Sequence, residues 1–289
     1  MNTELQQHIE HQLQSLVSTN NTFKWQPVAG GSINKTYKIT TNTNTYFIKT
    51  NTIAVFKNGF KEEVLGLQFL EKNKAFIPKI IAEGSFQNDI FLILEWIEKG
   101  KESNLFWDNF AQNLANLHTQ KGTQFGLEYS NFMGQLHQNN SHFNDFTTFF
   151  IENRLKPQVK LAFDSHKIEQ KHLAQFEILY TDLNAIFPDE KPAAIHGDLW
   201  SGNYICSAQE KAILIDPAVY YGHREIDIAM TQLFGGFPQQ FYKKYNEIYP
   251  LAPCFNLRTN FYNLYPLLVH LNLFGNPYLK SIEDIITKF

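Results

Sequence analysis

The sequence predicts an α+β fold in two lobes, a small antiparallel sheet with one helix followed by a larger and mostly helical part. Three observations carry this. Short β-prone runs fill Phe23–Thr50 and are separated by polar turns. Ile90–Ile97 (IFLILEWI) is nearly continuous in apolar residues, as in a strand covered on both faces. Beyond Lys101 the apolar spacing is helical except around Ala193–Ile215.

The elements follow in order. Leu5, Ile9, Leu13 and Leu16 recur at helical spacing and give an amphipathic helix over Glu4–Val17. Lys24–Ala29, Thr36–Thr40 and Thr45–Lys49 read as three antiparallel strands, broken by Gly30-Gly31-Ser32 and by Thr41–Asn44. Helical periodicity returns at Phe60–Leu70, and Ile80–Glu83 forms a short strand between Pro78 and Gly84. A boundary near Ile97–Lys101 divides residues 1–97, the N-terminal lobe, from residues 98–289, the C-terminal lobe. Helices are then expected at Leu105–His118, Phe143–Phe163, Lys167–Ile186, Ile226–Leu233, Pro238–Ile248, Leu257–Phe274 and Ile282–Lys288. Two apolar runs, Ala193–Ile195 and Ala212–Ile215, enclose the polar loop HGDLWSGN, a usual setting for chemistry.

Composition narrows the function. The 289 residues are 43% hydrophobic, enough for real cores without crosslinks. The net charge is −3 and the basic residues form no stripe, so no nucleic-acid partner is expected. Cys206 and Cys254 lack metal-ligand neighbours and fit a reducing, cytoplasmic setting. The first residues lack the pattern of a secretory signal, and no run is long enough to span a membrane.

The strongest chemical signal is His196–Asn203 followed by Ile213-Leu214-Ile215-Asp216. Phosphoryl transfer needs a carboxylate for the attacking hydroxyl and hard oxygens for Mg²⁺. Asp198 and Asn203 have the D-x-x-x-x-N spacing of a kinase base and its metal-binding amide, and Asp216 would be the second metal ligand. Taken alone, the loop reads as capped turns. Co-occurrence changes the balance. Gly30, Gly31 and Ser32 can bring backbone amides to phosphate oxygens. Lys49 ends a strand as the phosphate-contacting lysine does, with Glu63 as its ion-pair partner. Glu62 points ~100° away around the helix. Glu95, Trp96 and Ile97 end the apolar strand where backbone groups can meet an adenine edge.

Together GGSIN, FGLEYSNFMGQLHQ, FFIENRL, HGDLWSGN, IDPAVYYGH and FGGF resemble the fructosamine kinase family, over about Trp25 to Phe274. That resemblance implies a protein-kinase-like fold of the aminoglycoside phosphotransferase group, with ATP and Mg²⁺ as cofactors and a ketosamine as acceptor, phosphorylated typically at O3. It implies Asp198 as base, Asn203 and Asp216 as Mg²⁺ ligands, and Asp227 as the helix aspartate that braces the catalytic loop. His196 would support the loop, while Trp200 and His223 would face the substrate. The chain departs at Ser32, where many relatives have cysteine. The same core would serve another small hydroxyl substrate, such as an aminoglycoside, choline or a sugar, or persist in a catalytically dead nucleotide-binding scaffold. Few acids lie in Trp200–Glu225, which disfavours the cationic acceptors.

Overall fold

A computed structural model describes residues 3–16, 22–28, 34–55 and 59–287. It divides into two compact units, Met1–Leu65 with Ile77–Lys99, and Gly66–Phe76 with Gly100–Phe289.

The first unit is built on a five-stranded antiparallel sheet of order β1-β2-β3-β5-β4. Its strands are β1 (Lys24–Pro27), β2 (Lys35–Thr40), β3 (Thr45–Thr52), β4 (Ile80–Phe86) and β5 (Asp89–Glu95). Helix α1 (Thr3–Leu16) buries Leu5, Ile9 and Leu13 against Ile39, Tyr46, Ile48, Phe91 and Ile93 of the sheet. Each such side chain stabilises the unit by about 1.5–3 kcal/mol relative to exposure. Side chains alternate along β3, so Ile48 enters this core while its neighbour Lys49 projects from the other face. Helix α2 (Lys61–Lys72) follows. The expected β-β-β-α-β-β order is present, and β5 is the nearly fully buried strand, with Ile90–Leu94 at 3% exposure or less.

The second unit is mostly helical. Helix α3 (Asn104–His118) starts at Ser103, whose hydroxyl accepts the Phe106 amide. Its aromatic face, Phe106, Trp107 and Phe110, packs on Tyr204, Phe237 and Phe241. A polar hairpin, β6 (Asn131–Met133) and β7 (Leu136–Gln138), comes next. The helix expected at Phe143–Phe163 is α4 (Phe146–Phe150), a π-helical turn (Ile151–Leu155) and α5 (Lys156–Asp164). Then come α6 (Gln170–Ile186), the strands β8 (Ala193–Ile195), β9 (Tyr204–Cys206), β10 (Ala212–Leu214) and β11 (Tyr220–Gly222), and α7 (Glu225–Leu233). Helices α8 (Gln239–Ile248), α9 (Phe255–Phe274) and α10 (Leu279–Ile286) complete the unit. The two apolar runs do not pair with each other: β8 pairs with β11, and β10 with β9. Among the described residues, no helix is long and apolar enough to cross a membrane.

Candidate active site

The segment His196–Asn203 leaves β8 and re-enters the fold at β9, and Asp227 of α7 holds its start. Asp227 is fully buried and accepts the amides of His196 at 2.8 Å and Gly197 at 2.9 Å. His118 Nε2 lies 3.1 Å from the same carboxylate. Burial alone would raise the Asp227 pKa, but these donors outweigh it and hold the carboxyl below its ordinary value. Burial keeps the His118 ring neutral, its pKa lowered. The consistent tautomer donates from Nε2 to Asp227 and accepts the Tyr245 hydroxyl at Nδ1, at 2.7 Å.

Asp198 follows this braced start. Its carboxyl is enclosed by protein atoms and only partly exposed, and burial pushes its pKa up to about 7, aided by the charges of Asp216 and Asp227 and opposed by a hydrogen bond from Asn203. Asn203 Nδ2 donates to the Asp198 backbone carbonyl at 2.8 Å and to its carboxylate at 2.9 Å. His196 accepts the Asp198 amide at Nδ1, 3.2 Å, and from Nε2 reaches the Ile215 carbonyl at 3.0 Å. The Ile215 amide in turn donates to the Asn203 carbonyl at 3.1 Å. Asp198, Asn203 and the residue preceding Asp216 are therefore one hydrogen-bonded assembly. Asp216 sits at a φ of 52°, uncommon for an aspartate and frequent at functional turns.

In the first unit, Lys49 Nζ lies 2.7 Å from Glu63 Oε1, with side-chain exposures of 9% and 17%. The Glu95 and Trp96 amides are taken by the carbonyls of Lys79 and Thr45. The Trp96 indole N–H donates to Glu98, and Lys38 lies 4.2 Å over its ring. Gly30, Gly31 and Ser32 lie outside the described residues.

The two residues expected at the substrate part company. Trp200 is 36% exposed and meets Phe234 edge-on at 6.1 Å, and Phe234 lies 4.7 Å from His270. His223 is fully buried: its ring accepts the Glu225 amide, lies 3.2 Å from the Pro188 carbonyl and packs on Phe146 and Tyr262. It is a core histidine, corrected from a substrate residue, because its position after β11 turns the ring inward. Phe234 opens the FGGF motif, which by itself carries no role, and His270 has no local signal in the sequence. His118 had no local signal.

The fold is that of phosphotransferases with a protein-kinase-like architecture. An aminoglycoside phosphotransferase superposes with a TM-score of 0.61 at 13% identity, covering 96% of this chain and 98% of that one. A crystal structure from Haemophilus somnus, assigned as a fructosamine-3-kinase, superposes with a TM-score of 0.86 at 30% identity, covering 97% and 96%. A protein of Enterococcus faecium assigned as a ketoamine kinase is 40% identical over 270 residues, covering 91% of this chain and 94% of that protein. The chain belongs to the fructosamine kinase family, whose sequence model matches residues 1–289.

Proposed function

We propose that this chain uses ATP to phosphorylate a sugar hydroxyl, typically O3, of ketosamines such as fructosamines or ribulosamines. The observation that carries this is the tied assembly of Asp198, Asn203 and the strand leading to Asp216, braced by Asp227, in a member of the fructosamine kinase family. Residues 1–97 would supply the nucleotide-positioning groups and residues 98–289 the base, metal ligands and acceptor site.

Asp198 is the base. A carboxyl raised to about 7 is poised to orient an acceptor hydroxyl and take its proton near neutral pH. Lys49, held by Glu63, positions the α- and β-phosphates. Ile97 and the adjacent peptide carbonyls meet the purine edge, the Glu95 and Trp96 amides being engaged elsewhere. Trp200, with Phe234 and His270 behind it, offers an aromatic surface for the sugar or its linked amine.

Asn203 and Asp216 fit Mg²⁺. The Asn203 amide nitrogen is committed twice to Asp198, which leaves Oδ1 as a hard donor, and Asp216 adds a carboxylate one residue beyond Ile215, whose amide binds the Asn203 carbonyl. Among the described residues no cluster of three or more His, Cys, Asp or Glu side chains would hold a metal by itself. Mg²⁺ needs none, since it takes few protein ligands and completes its shell with water and phosphate oxygens. When bound it offsets charge on the β- and γ-phosphates.

A 3-phosphate leaves more readily by β-elimination, so the phosphorylated adduct falls apart and the amine is freed, a deglycation-type repair. Both cysteines are unpaired, in keeping with a cytoplasmic setting. The test is ADP release with Mg²⁺, ATP and fructose-lysine or ribulose-lysine, with aminoglycosides and choline as controls. Turnover of the ketosamines alone is expected; no turnover of any ketosamine overturns the reading.

A further inference from the structure

We propose that Asn131 and Gln138 form a two-amide positioning clamp that sets the Asp216 turn and the Asp198 loop together. This rests on the roles proposed for those two aspartates. The two amides face each other across the β6–β7 hairpin, where directly opposed residues share one face, and both are buried, at 3% and 1% exposure. Asn131 Nδ2 donates to the Val219 carbonyl at 2.9 Å. Gln138 Nε2 donates to the Ala218 carbonyl at 3.1 Å and to Asn131 Oδ1 at 2.7 Å. The hairpin thus grips two consecutive peptide carbonyls just beyond Asp216.

The gripped peptide touches both halves of the catalytic assembly. The Ala218 amide donates to the His196 carbonyl at 3.0 Å. The Ala218 carbonyl that Gln138 binds would be 2.1 Å from a Cβ at Gly197, the residue before Asp198. A shift of Ala218 therefore moves the braced start of the Asp198 loop and the end of the Asp216 turn at once.

The clamp is itself held from behind. Tyr265 donates its hydroxyl to Gln138 Oε1 at 2.9 Å, and Asn140 donates to Asn131 Oδ1 at 2.9 Å. Arg154, on the π-helical turn, donates to Asn140 Oδ1 at 2.7 Å. Its guanidinium is fully buried, has no carboxylate partner among the described residues, and lies 4.0 Å over the Tyr220 ring. A buried cation without a counterion is costly, and peptide carbonyls and ring faces offset that cost here. The hairpin and π-turn motifs thereby acquire a common task. Amides that fill a core would stabilise it equally well without touching the catalytic segments, and kinetics separates the two cases.

Gln138→Met keeps side-chain length and removes all three bonds of the Gln138 amide. In the full-length protein, kcat with fructose-lysine is expected to fall about 10–100-fold, as for residues that orient metal ligands. KM for fructose-lysine should stay within about twofold. The gain in ATP affinity conferred by Mg²⁺, read by titration calorimetry, should shrink. A folded Gln138→Met enzyme with unchanged kcat and an undiminished Mg²⁺ gain overturns the clamp. If Gln138→Met does not fold, Tyr265→Phe removes a single bond and is expected to lower kcat about two- to tenfold; unchanged kcat and Mg²⁺ gain there overturn it equally. The calorimetric arm needs no acceptor, so it decides the clamp even if the parent protein turns over no ketosamine and the ketosamine reading falls.

Discussion

Asn203 donates one side-chain amide to both the backbone carbonyl and the carboxylate of Asp198, at 2.8 and 2.9 Å. The proposed base and the proposed metal ligand are thus one mechanical unit. Asp198→Asn keeps the shape of this pair and removes the proton acceptor, so kcat is expected to fall by roughly 10²–10⁴ while ATP still binds. Asn203→Ala releases the base as well as one ligand, and should additionally weaken the Mg²⁺ dependence of ATP binding. Full turnover in Asp198→Asn, measured by ADP release, would remove Asp198 from its role.

Lys49 and Glu63 are shielded enough for their pairing to count. Exposed ion pairs couple by about 0.2–1 kcal/mol, whereas contacting partners in a protected network reach about 0.5–3 kcal/mol. With side-chain exposures of 9% and 17%, this pair belongs with the second group. Lys49→Met and Glu63→Gln should each lower kcat/KM for ATP, and the double variant should lose less than the sum. Strict additivity in this cycle would show that Glu63 does not position Lys49.

Much of this arrangement was legible in the sequence because it rests on local pattern. The apolar run Ile90–Ile97, the stripe Leu5–Leu13 and the spacing from Asp198 to Asn203 each carry their own periodicity or motif. The register of Phe60, Glu63 and Gly66-Leu67 together with helix geometry favours Glu63 over Glu62, and in the structure Glu63 pairs with Lys49. What could not be read depends on distant partners. Three-residue strands such as β8 and β11 have too little periodicity to declare their neighbours. His118 looks like any residue on a helix face until Asp227, 109 positions away, is brought to it. His223 is placed at the substrate only by the motif it belongs to, and a motif does not say which way a ring turns; in the structure the ring is fully buried.

Trp200 and His223 therefore separate in exposure, and their variants should separate in effect. Trp200→Ala removes an exposed ring and should raise acceptor KM roughly two- to tenfold, the worth of an aromatic contact of about 0.5–1.5 kcal/mol, with little change in melting temperature. His223→Ala should do the reverse, lowering the melting temperature through a core cavity and leaving unpaired the Glu225 amide it accepts. Its acceptor KM should be unchanged. A raised acceptor KM without loss of stability in His223→Ala would return that residue to the substrate.

Stability should fall as the solution is acidified below neutrality. Burial holds the pKa values of His118, His196 and His223 below the ordinary 6.5. Because their folded values lie under the unfolded one, their contribution is complete above pH 6.5 and is lost as pH falls from there toward the folded values. Asp227, held below 3.8, contributes above that range and is lost only as pH falls through its folded value. Between pH 7 and 5 each histidine loses up to about 1.4 kcal/mol per pH unit, while Asp198, raised to about 7 in the fold, contributes in the opposite sense by at most the same amount, so the three histidines together outweigh it. Thermal melts across this window should show a falling midpoint; a flat profile would mean that the rings do not stay neutral in the fold.

Gly197 separates backbone strain from steric conflict in the catalytic loop. Its φ of 82° disfavours any side chain, and a Cβ would also stand 2.1 Å from the Ala218 carbonyl oxygen. Gly235 has a comparable φ of 96°, but nothing lies within 4 Å of its would-be Cβ. Gly235→Ala should therefore cost only the conformational penalty, about 1 kcal/mol. Gly197→Ala must also displace Ala218, and with it the amides that Asp227 receives and the carbonyl that Gln138 binds. Its melting temperature should fall further than that of Gly235→Ala, and its kcat should drop toward that of Asp198→Asn. Equal melting temperatures for the two variants would mean that the loop yields at Ala218 without cost, and that the close approach of these two segments does not hold the proposed base and metal ligand in place.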